Sequence, residues 1–275
     1  SEQVEVSLRT ADALSRLIQN LEHNGQSISA DRLAVEAEQL YRQVASAAPE
    51  HLLDLARYLS FRWRPVEALA VCQQADGSSP PEEIAAAYVE IILMHGVESA
   101  TAGKIRKWFA DELQQQPDGA MLHLHFASFA QLIREYDLAI QHYRRTVELE
   151  PQMAAAYNEL AVLLLLHRNN SEEALAAVRT AIEIRGMHPA LLDTEAMVLI
   201  AMQQFEEASR LLERAIAEQP SPVYYFHLAQ AVLASSRTSA RNALQTGIRL
   251  GLRPTAMHPL ERDHFQQLVS NLKAE

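Results

Sequence analysis

The sequence predicts an all-α fold, a solenoid of about seven antiparallel helix pairs closed by a C-terminal capping helix. Three observations predict it. One kind of segment keeps returning: "EYDLAIQHYRRTVELEP" at 135–151, "PVEALAVCQQA" from Pro65, "SEEALAAVRTA" from Ser171 and "FEEASRLLERAIAEQP" from Phe205. The returns have a period. The residues opening the second apolar run of each copy are Ala37, Ala68, Ile105, Ala139, Ala174, Ala208 and Ala240, at intervals of 31 to 37 residues with a mean near 34, and Pro49, Pro80, Pro117, Pro151, Pro220 and Pro254 run beside them. Finally, 48% of residues are apolar, only 8 of 275 are Gly, and the apolar runs alternate little, a pattern that suits helices better than strands.

Each element follows from this period. Two antiparallel helices come close only where small side chains sit at their crossing, and Ala127 with Ala139, Ala161 with Ala174, and Ala196 with Ala208 supply such crossings. Proline stops the second helix of a pair and turns the chain into the next. One pair cannot bury its apolar face alone, so pairs stack. The chain divides into a degenerate N-terminal pair at 1–49, two pairs at 50–117 of which the second is degenerate, four pairs at 118–254, and a capping helix at 255–275. The degenerate copy, "PEEIAAAYVEIILMHGVESATAGKIRKWFADELQQQP", places Leu93 and Ile105 where small residues are expected, which predicts wider or shifted packing there. "HPLERDHFQQLVSNLKAE" reads as the cap, with Leu260, Phe265, Leu268, Val269 and Leu272 on one face.

Within each copy the order is a large residue, a large–small pair, a further large residue, Ala, a large residue and Pro. The fifth copy has Tyr157, Leu160-Ala161, Leu164, Ala174 and Val178; the fourth has His123, Phe126-Ala127, Ala130, Ala139, Tyr143 and Pro151; the sixth has Leu192, Glu195-Ala196, Leu199, Ala208, Leu212, Ala215 and Pro220. A period near 34 with these residues at these offsets resembles the tetratricopeptide-repeat family, most closely over residues 50–250. The resemblance implies a right-handed α–α superhelix whose first helices line a concave, partner-binding groove. Carried onto this sequence, the groove positions are Met121, Leu124 and Ser128; Ala155, Asn158 and Val162; Ala190, Asp193 and Met197; and Val223, Phe226 and Gln230. Met, Leu, Val and Phe predominate, with Asn158 and Asp193 as polar anchors, which suits an extended or helical protein segment. Chaperone-docking members of the family clamp a C-terminal carboxylate with Lys, Arg and Asn; Asn158 is present here without the basic partners.

Chemistry is sparse. The 11 His are scattered: His123 and His125 point to different helix faces, and His258 and His264 are six residues apart. Cys72 stands alone in an apolar setting, and no nucleophile elbow, phosphate loop or metal motif occurs. Glu82-Glu83, Glu172-Glu173 and Glu206-Glu207 open helices, where they complement the dipole. Trp63 and Trp108 are expected in the core. These residues indicate no catalysis, no cofactor and no metal. The net charge of −11 argues against a nucleic-acid partner, and no apolar run is long enough to span a membrane. The expected function is a non-enzymatic scaffold that binds a protein or peptide. The alternatives are a regulatory or targeting segment of a larger enzyme, which the absence of an initiator Met suggests, and a homo-oligomeric scaffold with residues 1–30 lying in its groove. The expected location is cytoplasmic, or periplasmic if a signal has been removed, and the Ala/Leu/Arg style has a bacterial look.

Overall fold

The computed structural model describes residues 2–273, and among these the regular elements are all helices, with no strand. Fifteen α-helices follow in order: α1 (Glu2–His23), α2 (Ser27–Ala47), α3 (Leu52–Phe61), α4 (Pro65–Gln74), α5 (Pro81–His95), α6 (Ser99–Gln115), α7 (Ala120–Leu132), α8 (Tyr136–Leu149), α9 (Ala154–Leu166), α10 (Ser171–Arg185), α11 (Pro189–Ala201), α12 (Phe205–Glu218), α13 (Pro222–Val232), α14 (Arg237–Arg249) and α15 (Arg262–Lys273). They form two compact units, residues 1–139 and 140–275, with the boundary inside α8. In the first unit α1 packs on α2 and α3 on α4; in the second, α9 packs on α10, α11 on α12 and α13 on α14. Seven successive helix pairs and a final helix therefore make up the chain.

The local chemistry explains where helices start and stop. Pro65, Pro81, Pro189 and Pro222 open α4, α5, α11 and α13, where the missing N–H costs nothing. Asn170 caps α10, its side chain accepting from the Glu173 amide at 3.2 Å while its own amide donates to the Glu173 carboxylate at 2.9 Å. In four of the pairs the turn from first to second helix is built in one way. Trp63, Arg134, Asn169 and Gln203 take left-handed backbone with φ of 59°, 65°, 52° and 60°. The amide of the following residue then reaches back to a carbonyl of the preceding helix: Arg64 to Leu59 at 3.0 Å, Glu135 to Ala130 at 2.8 Å, Asn170 to Leu164 at 2.9 Å, and Gln204 to Leu199 at 2.8 Å. These bonds satisfy carbonyls that the helix end would otherwise orphan.

The crossing residues are fully enclosed: Ala127, Ala139, Ala161, Ala174, Ala196 and Ala208 all have 0% exposure. The α5–α6 pair is different. Its helices approach each other far less than those of α1–α2, α3–α4, α9–α10, α11–α12 and α13–α14, and α5 packs instead on α4 and α7. Ile105 is buried as the register requires, but Leu93 does not stand at a crossing; it is exposed, and Ala85 and Ala87 supply the small buried residues of α5. Aromatic contacts hold α6. Phe109 stacks flat on Phe126 of α7 at 4.7 Å, and Trp108 lies edge-on to Tyr88 of α5 at 5.4 Å. Rings of this size keep axes further apart than alanines do.

One expectation needs correction. Trp63 is not a core residue: it occupies a left-handed turn position between α3 and α4, where it is 80% exposed and meets the edge of His95 at 5.0 Å. Helix α1 is the first member of a pair, with Ala11 and Ile18 wholly buried and Asp12 accepting from the Tyr41 hydroxyl of α2 at 2.7 Å. At the other end α15 buries Phe265, Leu268 and Leu272. Its last carbonyls are capped by arginines of α14: Arg241 Nε donates to Leu272 at 3.1 Å, and Arg237 donates to Asn271.

Candidate binding cavity and its buried triad

In the second unit the first helices α9, α11 and α13 and the final helix α15 surround a cavity of about 380 Å³. Its apolar wall comes from Leu165, Leu166, Met197, Ile200, Ala201, Leu233 and Leu268. Its polar rim is mostly carboxamide: Asn169, Gln230, Gln267 and Asn271, with Glu261 and His264 beside them. No Lys or Arg lines it. Successive helices contribute corresponding positions because the 34-residue period brings each back to the same face.

Beneath the rim lies a triad with the period of the repeat. Asp193, His227 and Glu261 are each 34 residues apart, so they come from α11, α13 and the turn into α15. The His227 ring accepts no exposure to solvent (1%) and touches a carboxylate through each nitrogen: Nδ1 lies 2.7 Å from Asp193 and Nε2 2.8 Å from Glu261. Burial works against a charged imidazole, but the two carboxylates outweigh it and push His227 up to about 10. Burial also opposes ionisation of Glu261, yet the His227 charge holds this carboxyl below its ordinary value. Asp193 is enclosed more completely, and there burial wins, keeping it above the ordinary range despite His227. Glu261 at the cavity edge is thus the easier charged partner, and Asp193 the costlier one to ionise. The triad ties three successive elements together without leaving the imidazole exposed to a ligand.

The groove positions carried from the sequence separate accordingly. Met197 and Gln230 line the cavity. Asn158 and Val162 of α9 are half-buried, and the Asn158 Oδ1 is buried with no hydrogen-bond partner among the described residues, an acceptor awaiting a donor. On α7, in the first unit, Met121 is exposed and Leu124 and Ser128 are half-buried, the Ser128 hydroxyl donating to the Leu124 carbonyl at 3.1 Å. Two positions do not present a free surface. Asp193 is buried because His227 of the next first helix pulls it into the seam between them. Phe226 is wholly buried because α15 covers it, with Phe265 edge-on at 5.7 Å. The sequence reading treated α15 as a plain cap and so missed Glu261, Gln267 and Asn271. The equal spacing of Asp193, His227 and Glu261 was the available signal. Among the described residues no cluster of three or more His, Cys, Asp or Glu could hold a metal, and no helix is long and apolar enough to cross a membrane.

A run of helix pairs with a cavity walled by successive first helices defines a helical-repeat fold. The tetratricopeptide-repeat family model matches residues 133–188 and 194–247, and that stretch of the chain is built of tetratricopeptide repeats. No curated protein matches the chain. Among solved structures, a tetratricopeptide repeat protein from Parabacteroides merdae is similar over 96% of this chain and 99% of its own, with 15% identity and a TM-score of 0.62. The APC/C hetero-tetramer Cut9–Hcn1 is similar over 83% of this chain and 42% of that one, with 17% identity and a TM-score of 0.52. A double mutant of MamA RS-1 is similar over 62% of this chain and 94% of its own, with 12% identity and a TM-score of 0.51. At such identities the likeness is one of fold.

Proposed function

We propose that this chain is a non-enzymatic binding module that takes an extended protein segment in the cavity between α9, α11, α13 and α15. The observation that carries the reading is the division of its lining, an apolar wall beside carboxamides from the α9–α10 turn, α13 and α15. An apolar side chain of the partner lies against Met197, Ile200, Leu233 and Leu268. Asn169, Gln230, Gln267 and Asn271 each offer a donor and an acceptor, as a peptide backbone requires. Extended segments are recognised in this manner, with main-chain hydrogen bonds giving affinity and pockets giving selectivity. The absence of Lys and Arg from the lining disfavours capture of a terminal carboxylate.

Selection of displayed random peptides against the chain tests the reading. The expected outcome is a set of peptides sharing an apolar anchor, whose binding falls by at least about tenfold in Met197→Glu, which buries a charge in the wall, and is unchanged in Lys104→Glu on the exposed face of α6. Peptides that bind both variants equally would move the site elsewhere.

A further inference from the structure

The cavity of the second unit is lined by one acid, Glu261, and by no Lys or Arg. Glu261 is only 6% exposed, and its two oxygens stand in different settings. Oε1 is held by the His227 ring at 2.8 Å. Oε2 makes no hydrogen bond among the described residues and is not sealed off from solvent. Since Glu261 lines the cavity, that oxygen is the acid's open side. The triad is also unbalanced. Two carboxylates share one imidazole, so with both ionised the group carries one negative charge that nothing inside it answers. Among the described residues no Lys or Arg forms an ion pair with either acid. Burial already drives Asp193 toward its neutral form. A charge this enclosed is costly until a cation compensates it, and the cavity is the side from which a cation can arrive.

Resting on the reading of this cavity as a peptide site, we propose that the partner segment carries a lysine or arginine beside its apolar anchor, and that the basic group binds Glu261 through Oε2. The lining suits both parts of such a side chain. Its methylenes lie along the apolar wall of Met197, Leu233 and Leu268, while the charged head reaches the acid. The amide oxygens of Gln230, Gln267 and Asn271 accept from the N–H groups that Glu261 leaves over. A guanidinium presents five donors in a planar fork and an ammonium three, so arginine uses this set more fully than lysine. The bond to Glu261 is charge-assisted, the stronger kind of hydrogen bond. Selection runs in the other direction too, because the same fixed acid repels acidic segments and a terminal carboxylate.

Peptides selected on the wild-type chain provide the test. Each Lys or Arg in them is exchanged for norleucine or citrulline, which keep the length and remove the charge, and affinity is measured by calorimetry. The expected result is one basic position, at a fixed spacing from the apolar anchor, where the exchange weakens binding by about tenfold or more. Glu261→Gln keeps the size of the side chain and should bind charged and uncharged peptides alike. His264→Lys changes an exposed residue three places after Glu261, close enough for its charge to act on that acid. It should supply the cation from within the chain and also lose the preference, without any buried substitution. Circular dichroism checks that each variant is folded. Peptides that need Met197 but show no loss on charge exchange would overturn the proposal and leave the peptide site standing. So would a loss that persists undiminished in either folded variant. Failure to select any peptide sensitive to Met197→Glu would overturn both readings.

Discussion

At the residue scale the most consequential group is His227, whose two nitrogens face two acids in a setting nearly closed to water. Removing the cation leaves both carboxylates buried and uncompensated, and breaking a buried pair in this way costs about 3–5 kcal/mol. His227→Gln is therefore expected to lower the urea midpoint strongly, and an unchanged midpoint would mean the triad is not formed. The pH dependence has a definite sign. His227 is raised to about 10 in the folded chain from about 6.5 unfolded. Its contribution is complete below the unfolded value and is lost as pH rises toward 10. Glu261 is depressed, so its contribution is present above its unfolded value and fades as pH falls; Asp193, raised, works against it there. Urea melts from pH 6 to 10 should show a declining alkaline arm that flattens in His227→Gln.

At the scale of the helix pair, the crossing alanines set how close the helices lie. Ala208 has no exposure and packs where α12 meets α11. Ala208→Leu overfills that crossing, with an expected loss of about 1–3 kcal/mol read as a lower melting temperature; no loss would show that the register is wrong. The α5–α6 pair shows what happens when the device is missing. With Ile105 in the small position and Phe109 and Trp108 beside it, α6 turns to aromatic contacts and separates from its partner.

At the scale of the whole chain, the last helix does more than cap. It covers Phe226 and forms one wall of the cavity, and the turn leading into it supplies Glu261 to the triad. Truncation after residue 254 should therefore destabilise the second unit, expose Phe226 and Leu252 to a hydrophobic dye and abolish peptide capture together. Peptide capture undiminished by the truncation would place the partner site away from α15.

The sequence by itself determined that the chain is a run of paired helices, because period, small residues and prolines are local signals that each copy repeats. The turns between first and second helices were less legible. Their left-handed positions hold Trp63, Arg134, Asn169 and Gln203, residues that do not announce such a turn as glycine would. The site was half legible. Met197 and Gln230 followed from the register, since a position on one helix returns on the next. Only the tertiary structure decided that Asp193 and Phe226 are enclosed and that α15 is a wall. Burial in a stack depends on which neighbour covers a face, and the covering groups, His227 for Asp193 and Phe265 for Phe226, stand more than thirty residues away in the chain.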